Sequence, residues 1–69
     1  MELKQLQILV AISEYGSFSG AAKALATVQS NVSAHIARLE TELGSTLIER
    51  SSGRLTEEGE IVVSRARRI

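Results

Sequence analysis

Apolar side chains recur at helical spacing from the start of the chain, at Leu3, Leu6, Leu9, Val10 and Ile12. This spacing predicts an amphipathic helix ending near Glu14. Gly16 suits the stop, because glycine accepts positive φ without steric cost, and Ser17 follows as a candidate N-cap. A second helix is expected from Phe18 to about Leu25, where Ala21, Ala22 and Ala24 let a neighbouring helix approach closely. Ala26-Thr27-Val28 makes a short break before a third helix, expected from about Gln29 to Glu42. Within it Val32, Ile36, Leu39 and Leu43 lie within roughly 60° of one another at ~100° per residue, forming one buried stripe. Gly44 closes the helix. Glu40 and Glu42 fall near its C-terminal end, which the helix dipole slightly disfavours.

The pattern then changes. Thr46-Leu47-Ile48-Glu49-Arg50 is short and partly β-branched, Ser51-Ser52-Gly53 is a turn cluster, and Arg54-Leu55-Thr56 is placed to pair back as a small β-hairpin. Thr56 is a candidate N-cap for a fourth helix, with Glu57 and Glu58 favourably placed in its first turn. Ile61, Val62 and Ala66 mark its apolar side, expected to be half core and half subunit interface. Residues 1–56 read as one small, mainly α domain with a β-wing, and residues 57–69 as the start of a further helix.

One spacing carries more than local structure. In a helix-turn-helix a small residue sits where two helices touch, and apolar residues follow at fixed offsets. Ala22, Leu25, Ala26, Val32 and Ile36 fit that spacing. The turn position often holds glycine; Ala26 suits a turn that avoids positive φ. With Val32, Ile36 and Leu39 inward, Ser30, Ala34, Ala37 and Arg38 point outward. Gln29 and Ser33 then lie on one flank, Asn31 and His35 on the other. Gln29 and Asn31 are suited to bidentate contacts with adenine, and Ser30 and Ser33 can donate or accept. Taken alone, such a face is ordinary solvated surface. Combined with the spacing and the hairpin, it favours a duplex reader whose third helix enters the major groove.

Charge gives this little support. The 69 residues carry eight basic and eight acidic side chains, a formal net charge of zero, where a nucleic-acid module usually has a basic excess. The alternative is therefore a helical protein–protein interaction module without DNA. Cysteine is absent, which excludes disulfides and thiolate chemistry and is compatible with the cytoplasm. No apolar run is long enough for a signal peptide or membrane span. His35 is the lone histidine, so no metal site is expected, and a solvent-exposed place beside the DNA surface suits it better. The serines have no base–orienter pair, so neither catalysis nor a cofactor is expected.

The sequence also resembles the LysR-type transcriptional regulators along essentially its whole length. The match runs through Leu3 and Leu6, Gly16-Ser17-Phe18-Ser19, Ala21-Ala22, Leu25, Gln29-Ser30, Val32-Ser33, Ile36 and Leu39-Glu40. It continues with Glu42-Leu43-Gly44, Leu47-Ile48-Glu49-Arg50, Leu55-Thr56 and Gly59-Glu60. The resemblance implies a winged helix-turn-helix joined to a linker helix that pairs two subunits on a pseudo-palindromic operator. It makes Gln29, Ser30, Asn31 and Ser33 candidate base readers. It places Ser17 and Phe18 against a phosphate, Arg50 on the backbone beside the wing, and Arg54 as the wing's basic contact. The family usually has a basic residue at Ala34; His35 and Arg38 are the nearest substitutes. Its usual Ser-Gln-Pro opening of the third helix is Val28-Gln29-Ser30 here, leaving Thr27 or Gln29 to cap it. The wing between Arg50 and Leu55 is short for the family. The linker helix is expected to be cut at Ile69, and inducer sensing to require a C-terminal domain outside these residues.

Overall fold

The computed structural model describes residues 2–68. Its elements run α1 (Leu3–Tyr15), α2 (Phe18–Ala24), α3 (Gln29–Leu43), β1 (Ile48–Glu49), β2 (Arg54–Leu55) and α4 (Glu57–Ala66). This is a winged helix: three packed helices, a two-stranded antiparallel hairpin and a fourth helix returning across the first. α1 is the central element and packs against α2, α3 and α4.

α1 carries two apolar stripes rather than the single one expected. Ile8, Leu9, Ala11 and Ile12 are buried, together with Gln5. Leu3 is exposed, and Leu6 and Val10 are only partly covered. The positions 3, 6 and 10 form a separate stripe beside the core stripe, one helical turn apart from each other. They line a shallow groove with Tyr15, Leu25 and Ala66. Gln5 tolerates burial at the first turn because its Oε1 accepts a hydrogen bond from the Glu2 amide at 3.2 Å. Gly16 ends the helix in the left-handed region, at φ 76°, as expected.

The core is aliphatic. Leu9, Ile12, Val32, Ile36, Leu39, Leu47 and Ile48 are its largest fully buried side chains. Each contributes about 1.5–3 kcal/mol by leaving water. Ala21 and Ala22 are both buried where α2 meets its neighbours, which agrees with the small residue required at the helix contact. Leu25 and Leu43 depart from expectation. Both are exposed, because α2 has ended before Leu25 and Leu43 is the last residue of α3, beyond the elements that cover Leu39.

The turn between α2 and α3 contains the clearest local surprise. Thr27 N–H donates to Ala22 O at 2.9 Å and Ala26 N–H to Lys23 O at 3.2 Å. This double closure of a helix end requires a left-handed residue between the helix and the second donor. That residue is Ala26, the one positive-φ non-glycine among the described residues, at φ 55°. The turn therefore does not avoid positive φ. The N-cap of α3 also differs: it is Val28, which has no side-chain cap, while Thr27 Oγ1 accepts from Asn31 Nδ2 instead.

The strands are shorter than the pattern suggested, two residues each, paired Ile48↔Leu55 and Glu49↔Arg54. Thr56 extends the pairing without strand geometry: its N–H donates to Leu47 O at 2.9 Å and its hydroxyl to Thr46 O at 2.6 Å. The same hydroxyl accepts from Gly59 N–H at 3.0 Å, capping α4 as expected. On α4 the core-facing residue is Val63, one turn after Gly59; Ile61 is exposed, and Val62 and Ala66 are half-buried. Of the side expected at Ile61, Val62 and Ala66, Val62 packs against the core, Ala66 is half-buried and Ile61 faces solvent, so the core-facing line is shifted toward Val63. The cause is Gly59, which brings the helix onto the Leu47 backbone so closely that a methyl group there would collide with the Leu47 carbonyl oxygen.

Two stability measurements test this packing. Ala26→Gly relieves a left-handed alanine that costs about 1–2 kcal/mol and adds about 0.4–1 kcal/mol of unfolded-chain entropy. The expected result is a modest rise in the urea midpoint at unchanged slope. Gly59→Ala improves helix propensity by about 1 kcal/mol yet should lower stability by about 1–3 kcal/mol through overpacking. A stabilised Gly59→Ala protein would contradict the close approach of α4 to Leu47.

Candidate nucleic-acid interface

The N-terminal half of α3 presents the polar side chains singled out from the sequence, but the structure divides them. Gln29 and Ser30 are exposed at the first turn. Asn31 and Ser33 are half-buried and already engaged: Asn31 Nδ2 donates to Thr27 Oγ1 at 3.0 Å, and Ser33 Oγ accepts from Arg50 Nη1 at 3.2 Å. Asn31 keeps its carbonyl oxygen and second N–H, and Ser33 keeps its own O–H, so neither is used up. Ala34, Ala37 and Arg38 continue the exposed side of the helix. Arg38 stands one turn beyond Ala34, on the same face.

His35 departs from its expected solvent-exposed place. It is half-buried, and its Nδ1 is enclosed without a hydrogen-bond partner among the described residues. The cause is its position beside the buried Ile36, on the flank of α3 rather than on the outward face.

Ser17 caps α2 by accepting from Gly20 N–H at 2.9 Å, which leaves its O–H as a donor. Phe18, beside it, is half-buried and packs on the core. The Arg50 guanidinium lies over the Phe18 ring, 4.9 Å from its centroid, within cation–π range. Phe18 therefore meets Arg50 with its side chain. Arg50 itself, expected only as a backbone holder, ties the wing to two helices. Beyond Phe18 on α2, it reaches Ser33 on α3 and forms an ion pair with Glu40 Oε1 at 3.3 Å.

Glu40 was the residue the pattern undervalued. Its Oε2 accepts from the backbone N–H groups of Leu47, at 2.7 Å, and Ile48, at 3.1 Å. The carboxylate thereby satisfies two donors at the root of the wing, as well as the arginine. The available signal was its unfavourable position near a helix C-terminus, which implies a partner from elsewhere in the chain.

The wing tip is closed on itself. Gly53 N–H donates to Glu49 O at 2.8 Å, Ser52 Oγ donates to Glu49 Oε1 at 2.9 Å, and Arg54 N–H donates to Ser52 Oγ at 3.2 Å. Arg54 is exposed on the outer strand. Among the described residues no three His, Asp or Glu side chains gather as a metal site, and no helix is long and apolar enough to cross a membrane.

This geometry has close counterparts. The chain is 54% identical over 52 residues to the HTH-type transcriptional regulator SoxR of Arthrobacter sp. (strain TE1826), covering 75% of the chain and 18% of that protein. It is 48% identical over 71 aligned positions to the probable HTH-type transcriptional regulator LrrA of Synechococcus elongatus, covering all of the chain and 24% of that protein. The chain thus spans less than a quarter of the length of either relative, at 18% and 24%. The crystal structure of the BenM_DBD/benA site 1 DNA complex superposes with a TM-score of 0.93 at 40% identity, over 99% of this chain and 81% of that one. The profile described as bacterial regulatory helix-turn-helix protein, lysR family, matches residues 3–60, and with the fold shared nearly end to end, the chain belongs to that family.

Proposed function

We propose that the chain binds double-stranded DNA sequence-specifically and serves transcription regulation, with α3 in the major groove. The observation that carries this is the exposed Gln29–Ser30 pair at the N-terminal end of α3, on a fold shared with a DNA-complexed family member. Gln29, Ser30, Asn31 and Ser33 act as base readers. Asn31 and Ser33 give up or share their partners at Thr27 and Arg50 when they do so. Ser17, Arg38, Arg50 and Arg54 supply contacts to the DNA backbone. Phe18 and His35 belong to the same backbone-facing set, Phe18 with its ring beneath the Arg50 guanidinium, and Arg54 carries the contact of a compact wing.

Residues 1–56 form the reading unit, and α4 begins a linker that pairs two copies on a pseudo-palindromic site. Exposed apolar side chains support the pairing: Leu3 at 60% and Tyr15 at 58% on α1, and Ile61 at 53% on α4. The location is the cytoplasm, and response to a small molecule belongs to the remainder of a full-length regulator. The role is regulatory rather than enzymatic, in keeping with the regulator names of the relatives. The zero net charge favours one second reading, a helical protein-interaction module without DNA.

Two measurements on duplexes selected from a random library decide between these. Affinity should fall with salt on a log–log slope of about −0.9 per phosphate neutralised; no binding even at low salt would favour the protein-interaction module. Across a site library, Gln29→Ala should cost about 1–3 kcal/mol at one base position, whereas Arg50→Ala should weaken all sequences alike. Identical profiles for the two variants would remove the division into readers and holders.

A further inference from the structure

The geometry points to Glu40 as a positioning residue for DNA binding, one that acts through Arg50 although its own charge opposes DNA. This rests on the proposed role of Arg50 at the DNA backbone. The Arg50 side chain is fixed in three independent ways. The Phe18 ring lies beneath the guanidinium, its centroid 4.9 Å from Cζ. Ser33 Oγ takes one N–H from Nη1 at 3.2 Å, and Glu40 Oε1 takes one from Nη2 at 3.3 Å. A guanidinium has five N–H donors, so three stay uncommitted among the described residues. The Arg50 side chain is 47% exposed while the Glu40 side chain is only 17% exposed, so the donors remain open to solvent and the acid is set back beneath them.

Glu40 is itself held, and this makes it an anchor. Its other oxygen is bound by the amides of Leu47 and Ile48, both fully buried residues at the root of the wing. One carboxylate therefore fixes the wing backbone relative to α3 and, with the same rigid group, orients the arginine that projects from the wing. Ordering a long side chain before association removes part of the entropy that binding otherwise costs. Simple Coulomb reasoning gives the opposite sign: deleting an acid near a polyanion should strengthen binding. The sign of the Glu40 effect therefore discriminates.

The test is a double-substitution cycle with this chain at low salt on a selected duplex. Glu40→Gln keeps the size and one carbonyl acceptor, but cannot accept from both the wing amides and Arg50. It is expected to weaken binding about three- to tenfold, the range that immobilising one long side chain covers. In an Arg50→Ala background the same substitution is expected to change affinity less than about twofold, the sign of coupled rather than independent sites. Folding of each variant is checked by urea denaturation. Unchanged or tighter binding by Glu40→Gln, or an equal loss in both backgrounds, would overturn the positioning role while leaving Arg50 at the backbone. If Arg50→Ala alone does not weaken binding, the Arg50 assignment fails, and this role with it. Relaxation of the Arg50 Nε–H group in the unsubstituted protein gives a reading independent of any variant's folding. An order parameter below about 0.6 before DNA is added would mean a mobile side chain and also overturn the proposal.

Discussion

The Glu40 carboxylate ties the root of the wing to α3. Two strands of two residues cannot hold themselves together in water, since even longer isolated hairpins are marginal. The hairpin persists because Leu47 and Ile48 are buried in the core and because Glu40 binds the amides those residues would otherwise bury unpaired. An acid near a helix C-terminus loses about 0.3–1 kcal/mol to the dipole. Hydrogen bonds to a charged acceptor contribute about 1.5–3 kcal/mol each, so two of them decide the balance in favour of the acid. The ion pair with Arg50 is half exposed and adds at most about 1 kcal/mol. Its importance lies in geometry.

Much of this fold was legible because its signals are local. Ser17 and Thr56 cap the helices they precede, Gly16 and Gly44 end the helices they follow, and Ala22, Val32 and Ile36 are buried as the helix-turn-helix spacing requires. What stayed hidden depends on partners distant in the chain. Periodicity places Leu3, Leu6 and Val10 near the Ile8–Ile12 stripe but cannot say which stripe the core takes; contact with three other helices decides it. On α4 the close seat at Gly59 selects Val63 over Ile61. The positive φ of Ala26 is imposed by two hydrogen bonds closing α2, against the preference of alanine itself.

The polar face of α3 shows the same division. The residue types were readable, but their engagements were not. Gln29 and Ser30 are presented to solvent, whereas Asn31 and Ser33 hold partners within the protein. In the proposed reading role, Thr27 and Arg50 would set the orientation in which Asn31 and Ser33 offer their remaining donors and acceptors to a base edge.

The closed tip of the hairpin has another consequence. Both strands are edges, and an exposed edge is a template on which a second chain can add. Here each strand is only two residues long, and the tip uses Gly53, Ser52 and the Glu49 carboxylate to satisfy its own donors. An incoming strand would find too few unpaired backbone groups in a row to continue the ladder. The same brevity that limits how far the wing can reach keeps neighbouring molecules from joining edge to edge, which matters for a small domain with little net charge to hold copies apart.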